Sequence, residues 1–191
     1  MQKSRRLIEY LLLIPAVLMS CQKSLTHDEL QQYLVQPENG LLKADRNGDL
    51  ELEVIYTPYE LLFSDSDSTK ANNLAYFKVY LSYQDKDLES GLVGHPREVV
   101  SGLSYNFKNY VNILVNEDII KPISSISMRT YGLGKQSVFL TAFDKKELLG
   151  RESITFNVNL SEIDLPSTQV EFDVKNIINI PHVKITGDDK K

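Results

Sequence analysis

Cys21 has the most distinctive chemistry in the sequence, because it is the only cysteine among 191 residues. A single thiol cannot form an internal disulfide, so an oxidising compartment would place no demand on the fold. The residues before it indicate how the thiol is used. Three bases among the first six residues precede an apolar run from Tyr10 to Met19, and Ser20 and Cys21 follow directly.

This arrangement predicts a cleavable signal peptide over residues 1–20. A basic segment followed by a short apolar segment is typical of secretory signals. The apolar run is too short for a permanent transmembrane helix, which needs roughly 20 apolar residues. No later run in the sequence approaches that length. We therefore expect export, with cleavage between Ser20 and Cys21.

The four residues Leu18-Met19-Ser20-Cys21 resemble the lipobox of bacterial lipoproteins. In that motif an aliphatic residue stands three positions before the modified cysteine, and a small residue stands directly before it. Met19 departs from the small residue that is usual at its position. The resemblance covers residues 1–21 and implies a diacylglycerol on the Cys21 thiol, with a further acyl chain such as palmitate on the freed amino group. Two or more chains anchor a protein stably, where one binds only marginally.

The same resemblance implies a location in the cell envelope. Gln22 stands where Asp retains lipoproteins in the inner membrane of some Gram-negative bacteria, so we expect an outer-membrane anchor with a periplasmic or surface-exposed domain. Apart from the covalent lipid, we expect no cofactor. Without residues 1–20 the chain keeps 18 basic and 25 acidic side chains. An acidic chain without a basic run is poorly suited to nucleic acid.

Asp45, Asn47 and Asp49 form the strongest candidate metal site, because they place oxygen ligands at alternate positions as in the first half of a calcium loop. Leu50 stands where such a loop needs glycine, and Tyr56 stands where it needs a bidentate glutamate. We therefore favour a tight Asn-Gly turn that leads into a strand. These three residues are only weak metal candidates.

The sequence contains no recognisable catalytic constellation. The three histidines lack the short spacing of a metal motif, and we find no nucleophile elbow, phosphate loop or dinucleotide fingerprint. We therefore do not expect an enzyme.

Tyr76, Lys78 and Tyr80 are the candidate binding residues. They alternate with apolar residues in a predicted strand, so they share its opposite face. Exposed tyrosines on a sheet can stack on sugar rings or anchor a partner protein. The alternative is that tyrosine simply suits a half-buried strand, and that the N-terminal helix or a loop covers it.

Hydrophobic periodicity predicts the elements that position these residues. Thr26 to Gln36 has the pattern of a short helix, with a capping box between Thr26 and Glu29. A helix through residues 99–114 competes with the two strands predicted there, and periodicity does not decide between them. The predicted strands lie near residues 50–57, 75–83, 103–107, 111–115, 119–120, 126–130, 138–143, 154–160, 170–174 and 180–185.

With about eight or nine of these ten segments forming short strands, and without alternating helices, the pattern favours a mainly β fold. We expect an antiparallel two-sheet sandwich, immunoglobulin-like, preceded by a short N-terminal helix. The expected organisation is a lipidated tether with this helix over 21–49, the sandwich over 50–186 and a flexible polar tail over 187–191. Whether residues 25–49 pack on the sandwich is left open.

These features predict a membrane-anchored envelope lipoprotein, similar to other immunoglobulin-like lipoproteins, that acts as a non-enzymatic interaction or assembly module. Its expected partners are the membrane, through the lipid, and another envelope protein. The alternative is a surface lipoprotein that binds a glycan or a small ligand through the Tyr76–Tyr80 face. The oligomeric state is left open.

Overall fold

A computed structural model describes residues 24–63, 73–128 and 134–183 of the chain. The signal peptide and Cys21, and the strand residues Thr130 and Ile185, lie outside these residues. Among the described residues, no helix is long and apolar enough to cross a membrane. The strands are β1 (Leu42–Asn47), β2 (Leu50–Thr57), β3 (Leu74–Tyr83), β4 (Val111–Val115), β5 (Asp118–Ile120), β6 (Ser124–Met128), β7 (Ser137–Asp144), β8 (Ser153–Val158) and β9 (Thr168–Asp173).

Short helices join these strands. Single 3-10 turns also occur at Pro37–Asn39, Tyr59–Leu61, Phe107–Asn109 and Ser161–Ile163. The α-helices are α1 (His27–Val35), α2 (Leu88–Gly91), α3 (Arg97–Asn106), α4 (Lys145–Leu148) and α5 (Val174–Ile178).

Two antiparallel sheets form the predicted sandwich. The five-stranded sheet has the order β1-β2-β3-β7-β6, and the four-stranded sheet has the order β5-β4-β8-β9. The chain crosses between the sheets after β3, β5 and β7. The order β2-β3-β7-β6 opposite β5-β4-β8-β9 follows the Greek-key arrangement of immunoglobulin-like domains, with β1 as an additional edge strand. The predicted fold class is therefore confirmed.

Aromatic side chains join the two sheets in the centre of the core. The Phe77 ring of β3 lies with its centroid 5.3 Å from that of Phe156 and 5.6 Å from that of Phe172, both on the opposite sheet. Within its own sheet it contacts Tyr56 at 5.5 Å and Phe143 at 5.8 Å. Edge-to-face and tilted ring pairs stabilise a core beyond the area that they bury. Phe77 is completely buried and contacts rings from β2, β7, β8 and β9, so it lies at the centre of the core.

The N-terminal segment packs on the sandwich, which the sequence had left open. Thr26 and Glu29 form the predicted capping box at the start of α1. The helix then buries Leu30 and Leu34 in the same core as the strands. β1 pairs with β2 throughout, so the sheet begins at Leu42 rather than at residue 50. The charged residues of β1 hide this strand from a search for alternating apolar positions.

The strand predicted near residues 103–107 is wrong, because this segment is helical and belongs to α3 and the turn after it. Leu103 and Phe107 are buried, whereas Tyr105 between them is 78% exposed. This spacing of four fits one side of a helix, and it also fits alternate positions of a strand. The competing helix over 99–114 is correct only for its first part, since β4 forms as predicted.

The strand predicted over residues 180–185 does not form within the described residues. The chain instead enters α5 at Val174, directly after β9. Val183 makes only an isolated parallel bridge with Leu25. Pro181 lacks an amide hydrogen and cannot donate to a strand ladder, which is a local reason why pairing does not extend here.

Replacing Phe77 with Ala should test whether the aromatic cluster stabilises the sandwich. We expect the free energy of unfolding to fall by about 3–5 kcal/mol, because the substitution leaves a cavity between the sheets. The control is Tyr105→Ala, which truncates a mainly exposed ring and should change stability by about 0.5 kcal/mol or less. Urea unfolding followed by circular dichroism measures both. Equal losses in the two variants would contradict the central position of Phe77.

Candidate functional site

Tyr76, Lys78 and Tyr80 lie together on the outer face of the five-stranded sheet, as their alternation predicts. Their neighbours along β3, Phe77 and Val79, point to the opposite side and are completely buried. The three candidate residues therefore occupy one surface. Their surroundings differ, and those differences decide which of them can meet a ligand.

Tyr76 is covered by the loop that follows β2. The Phe63 ring lies 5.8 Å from the Tyr76 ring, and Tyr59 stacks on Phe63 at 4.9 Å. Tyr76 is only 7% exposed, and burial together with the nearby Tyr59 raises the pKa of its phenol. The alternative that a loop covers this part of the face is therefore correct for Tyr76. Its ring offers no free surface on which a sugar could stack.

Tyr80 remains half-buried at the polar end of the same face. It lies opposite Glu53 on β2, and burial followed by the negative charge of Glu53 raises the pKa of its phenol. Beyond this pair, Glu51 accepts a hydrogen bond from Ser82 at 3.0 Å and forms a salt bridge with Arg46 at 2.9 Å. The carboxylate of Glu51 is thus already occupied within the protein.

The side of the face that β7 and β6 form is apolar, and its border at β6 is open. The register places Lys78 beside Leu140 of β7 and Leu140 beside Ile126 of β6, and the next row places Val138 beside Met128. Ile126 is 62% exposed and Met128 is 42% exposed, whereas Val138 and Leu140 are half-buried. We call these five residues the outer-face patch. Contiguous exposed apolar side chains with a polar rim are typical of protein interaction sites.

Lys78 is the only charged member of the outer-face patch. It is half-buried between Ile55 and Leu140, its partners in the two neighbouring strands. Its ammonium group makes no hydrogen bond or ion pair with another residue that the structure describes. A lysine in this setting covers apolar surface with its methylene chain and keeps its charge at the solvent.

The weak metal candidates lie in a β-hairpin and bond to separate partners. The Asp45 carboxylate accepts hydrogen bonds from the Thr168 hydroxyl at 2.7 Å and from the Gln169 amide at 3.4 Å. Asn47 donates to the Ser167 carbonyl at 2.7 Å, and Asp49 accepts from Gln84 at 3.3 Å. Within the described part of the chain, no three acidic, histidine or cysteine side chains come close enough together to hold an ion.

The hairpin itself confirms the predicted turn. Asn47 pairs with Leu50, so Gly48 and Asp49 form a two-residue loop between β1 and β2. Gly48 has a φ of 63°, which a residue with a side chain adopts only at a cost. The turn directs Asp45 and Asn47 toward β9. These side chains tie the edge of one sheet to the edge of the other.

A concave region lies between β5 and α4. It is an open groove of about 480 Å³, lined in part by Ile119, Leu149 and Lys146. Arg151 at its rim forms a salt bridge with Asp118 at 3.3 Å, and both side chains are largely accessible to solvent. Exposed pairs of this kind contribute little energy. The groove combines side chains of both charge signs with apolar side chains.

Sequence reasoning missed the apolar members of the outer-face patch. The signal was present in β7, where Val138 and Leu140 on one face accompany Phe139 and Phe143 on the other. Leu140 and Val138 do lie in an inner strand of the sheet, but their side chains point outward. Recognising the patch also required the neighbouring strand, and strand order is not visible in the sequence.

Acidification should weaken the link that Asp45 makes between the sheets. The Thr168 hydroxyl, as the largest cause, holds the pKa of Asp45 below its usual 3.8, so this carboxylate stabilises the fold above that pH and loses its effect as the pH falls through its lowered pKa. At pH 7, Asp45→Ala should cost about 0.5–1 kcal/mol, because solvent screens this exposed carboxylate. Urea unfolding should show a smaller difference from the unmodified protein at a pH well below 3.8.

The partner of this hydrogen bond provides the control. Thr168→Val removes the donor, so adding Asp45→Ala to it should cost less than Asp45→Ala alone. An identical cost in both backgrounds, or a cost that does not change with pH, would contradict this role for Asp45.

Comparisons with protein-family models, with curated proteins and with solved structures found no match to this chain. Geometry alone therefore describes three features of this chain: the outer-face patch, the Asp45 hairpin and the groove beside β5.

Proposed function

We propose that this chain is a lipid-anchored protein of the bacterial cell envelope, and that its folded domain is a non-enzymatic module that binds another envelope protein. The outer-face patch is the observation that carries the interaction: two exposed apolar side chains, Ile126 and Met128, lie on the same face as the half-buried Lys78. The lipobox resemblance at Leu18 to Cys21 supports the anchor. The expected location is the outer membrane, on its periplasmic or its external side.

The distance from the anchor to the domain supports a partner close to the membrane. Leu25 is buried, and its amide donates to the carbonyl of His182 at 2.9 Å. It lies four positions after Cys21 in the sequence. A fully extended chain of four residues spans at most about 14 Å. A lipid on Cys21 would therefore hold the domain beside the bilayer, where proteins of the same membrane are within reach.

The shape of the patch also favours a macromolecular partner. Small molecules bind mainly in concave pockets that enclose most of their surface, whereas the patch lies on the flat face of a sheet. A protein surface can cover such a face and place a carboxylate or a carbonyl oxygen against Lys78. The apolar side chains would then lose their contact with water, which is the main favourable contribution to association.

Glycan binding at the same face is the second candidate. It is favoured by Tyr80, whose half-buried ring adjoins the carboxylate of Glu53. Carbohydrate sites commonly combine an aromatic surface with hydrogen-bonding groups. The burial of Tyr76 beneath Phe63 weighs against it, because only one of the two tyrosines could stack on a sugar.

Moving the thiol from Cys21 to another position tests whether Cys21 carries the lipid. In a bacterial host that processes lipoproteins, we expect the N-terminal peptide of the mature protein to begin at Cys21 and to carry acyl mass. The Cys21→Ser variant should lack this mass and should no longer be found in the membrane fraction that detergent extracts. The control combines Cys21→Ser with Ser24→Cys, which keeps one thiol outside the lipobox and should not restore the lipid. An unmodified Cys21, or acylation of the control, would contradict the anchor.

The interaction is testable by site-specific photo-crosslinking in cells that make the native protein. A photoreactive residue at Met128, in the outer-face patch, should capture one defined envelope protein whose mass differs from that of a second copy of this chain. The matched control is Leu149, which is 43% exposed against 42% for Met128 and lies outside the patch. Lys78→Glu should reduce capture at Met128 by roughly tenfold, which corresponds to about 1.4 kcal/mol. Equal capture from both positions, or none from Met128, would contradict an interaction through this face.

A further inference from the structure

The edges of the two sheets differ in how well they are protected against pairing with another strand. An unprotected edge presents free amide and carbonyl groups, and proteins block such edges with charges, prolines, bulges or short strands. β1 carries three charged side chains and is tied to β9 through Asp45 and Asn47. β9 carries two acidic side chains, and β5 has only three residues. These three edges are therefore protected.

β6 is the edge strand whose own residues supply none of these protections, although α3 and the turn after it lie beside the strand. Its sequence Ser124-Ser125-Ile126-Ser127-Met128 contains neither a charge nor a proline. It pairs with β7 on one side, and no described residue pairs with its other side. Ile126 and Met128, the two apolar residues of this strand, are both substantially exposed. A strand of this composition is well suited to accept another strand.

The inner side of β6 is already filled, which leaves the edge as the place for pairing. The Ser125 hydroxyl bonds to Thr141 at 3.2 Å, and Thr141 is completely buried. Ser127 pairs with Phe139, whose ring stacks on Phe107 at 3.8 Å. The helical segment before β4 thus supports β6 from within the sandwich. β6 is already extended in the folded domain. Pairing with another strand therefore adds no free-energy cost for ordering the backbone of β6.

We propose that β6 pairs with the β6 strand of a second copy of this chain, so that the five-stranded sheets continue across a two-fold axis. Antiparallel pairing centred on Ile126 places Ile126 opposite itself, Ser125 opposite Ser127, and Ser124 opposite Met128. All these pairs are uncharged, and the strand complements itself as a two-fold interface requires. The inference concerns the folded domain and does not depend on the lipid or on the envelope partner.

The absence of charge on β6 explains why a second copy would pair with this strand rather than with another edge. The chain carries a net charge of −5, so most approaches of one copy to another bring like charges together. The β6 edge avoids this repulsion, because none of its five residues is ionisable. The nearest charge on the outer face in the same row is that of Lys78, two strands away.

Disulfide trapping of the full chain tests the pairing. Ile126→Cys should form a disulfide-linked dimer under mild oxidation, because the same residue of both copies lies at the two-fold axis. Ile119→Cys is the matched control, since Ile119 is 63% exposed against 62% for Ile126 and lies on the β5 edge. We expect roughly tenfold more dimer from Ile126→Cys, because disulfides require Cβ atoms about 4 Å apart. The unmodified chain reports any contribution from Cys21.

A second measurement avoids cysteine altogether. Sedimentation of the full chain in detergent should show a dimer that Ile126→Lys converts to monomer, because charges at an edge oppose pairing. Ile119→Lys should leave the dimer unchanged. Equal disulfide formation at both positions, no dimer from Ile126→Cys, or a monomer at every concentration of the unmodified chain would overturn the proposal. None of these outcomes decides whether Met128 crosslinks to an envelope partner. The proposed function is therefore tested separately.

Discussion

The contact of Phe77 with the two aromatic rings of the opposite sheet is the interaction on which the rest of the structure depends. Burial of apolar surface drives folding, and here the largest side chains of both sheets meet around one completely buried ring. Because successive side chains of a strand point to opposite faces, the inward direction of Phe77 makes Lys78 and Tyr80 point outward. The composition of the outer face is therefore a direct consequence of the core.

The two lateral borders of the sandwich, where the edge strands of the two sheets lie, are closed by different contacts. This difference bears on function. On one side, Asp45 and Asn47 extend from β1 to β9 and join the two edges through polar contacts. On the other side, β6 pairs with β7 and with no further strand among the described residues, and the ring of Phe139, which pairs with Ser127, stacks on Phe107. The outer-face patch and the uncharged β6 edge adjoin each other. Most of the exposed apolar surface described for the five-stranded sheet is thus concentrated at one border.

This arrangement suits a protein that binds other proteins better than one that encloses a substrate. On the polar side of the same outer face, Glu51 is engaged within the protein by Arg46 and by the Ser82 hydroxyl. Within the patch, Lys78 has no ion-pair partner among the described residues, and such a cation among aliphatic side chains gives an apolar face a point of specificity, because a partner without a matching acceptor would bury that charge at a cost.

Features that depend on neighbouring residues in the chain were predictable from the sequence. The capping box of α1 needs only Thr26 and Glu29, and the Asn-Gly turn needs only a glycine that tolerates a positive φ. Alternating apolar residues likewise predicted most strands and the sandwich, because one face of each strand must be buried. The lipobox resemblance at Cys21 is also a property of the sequence alone, and it remains a prediction.

Other features were decided by contacts between distant parts of the chain. β1 is a strand because it pairs with β2 and because Asp45 meets Thr168, 123 positions later in the sequence. Leu103 and Phe107 fit a strand or a helix equally well, and only the space beside Phe139 selects the helix. The covering of Tyr76 by Phe63 and the position of Ile126 beside Leu140 have the same origin. Local sequence specifies which face of a strand is apolar, whereas tertiary packing decides which of those faces remains open to a partner.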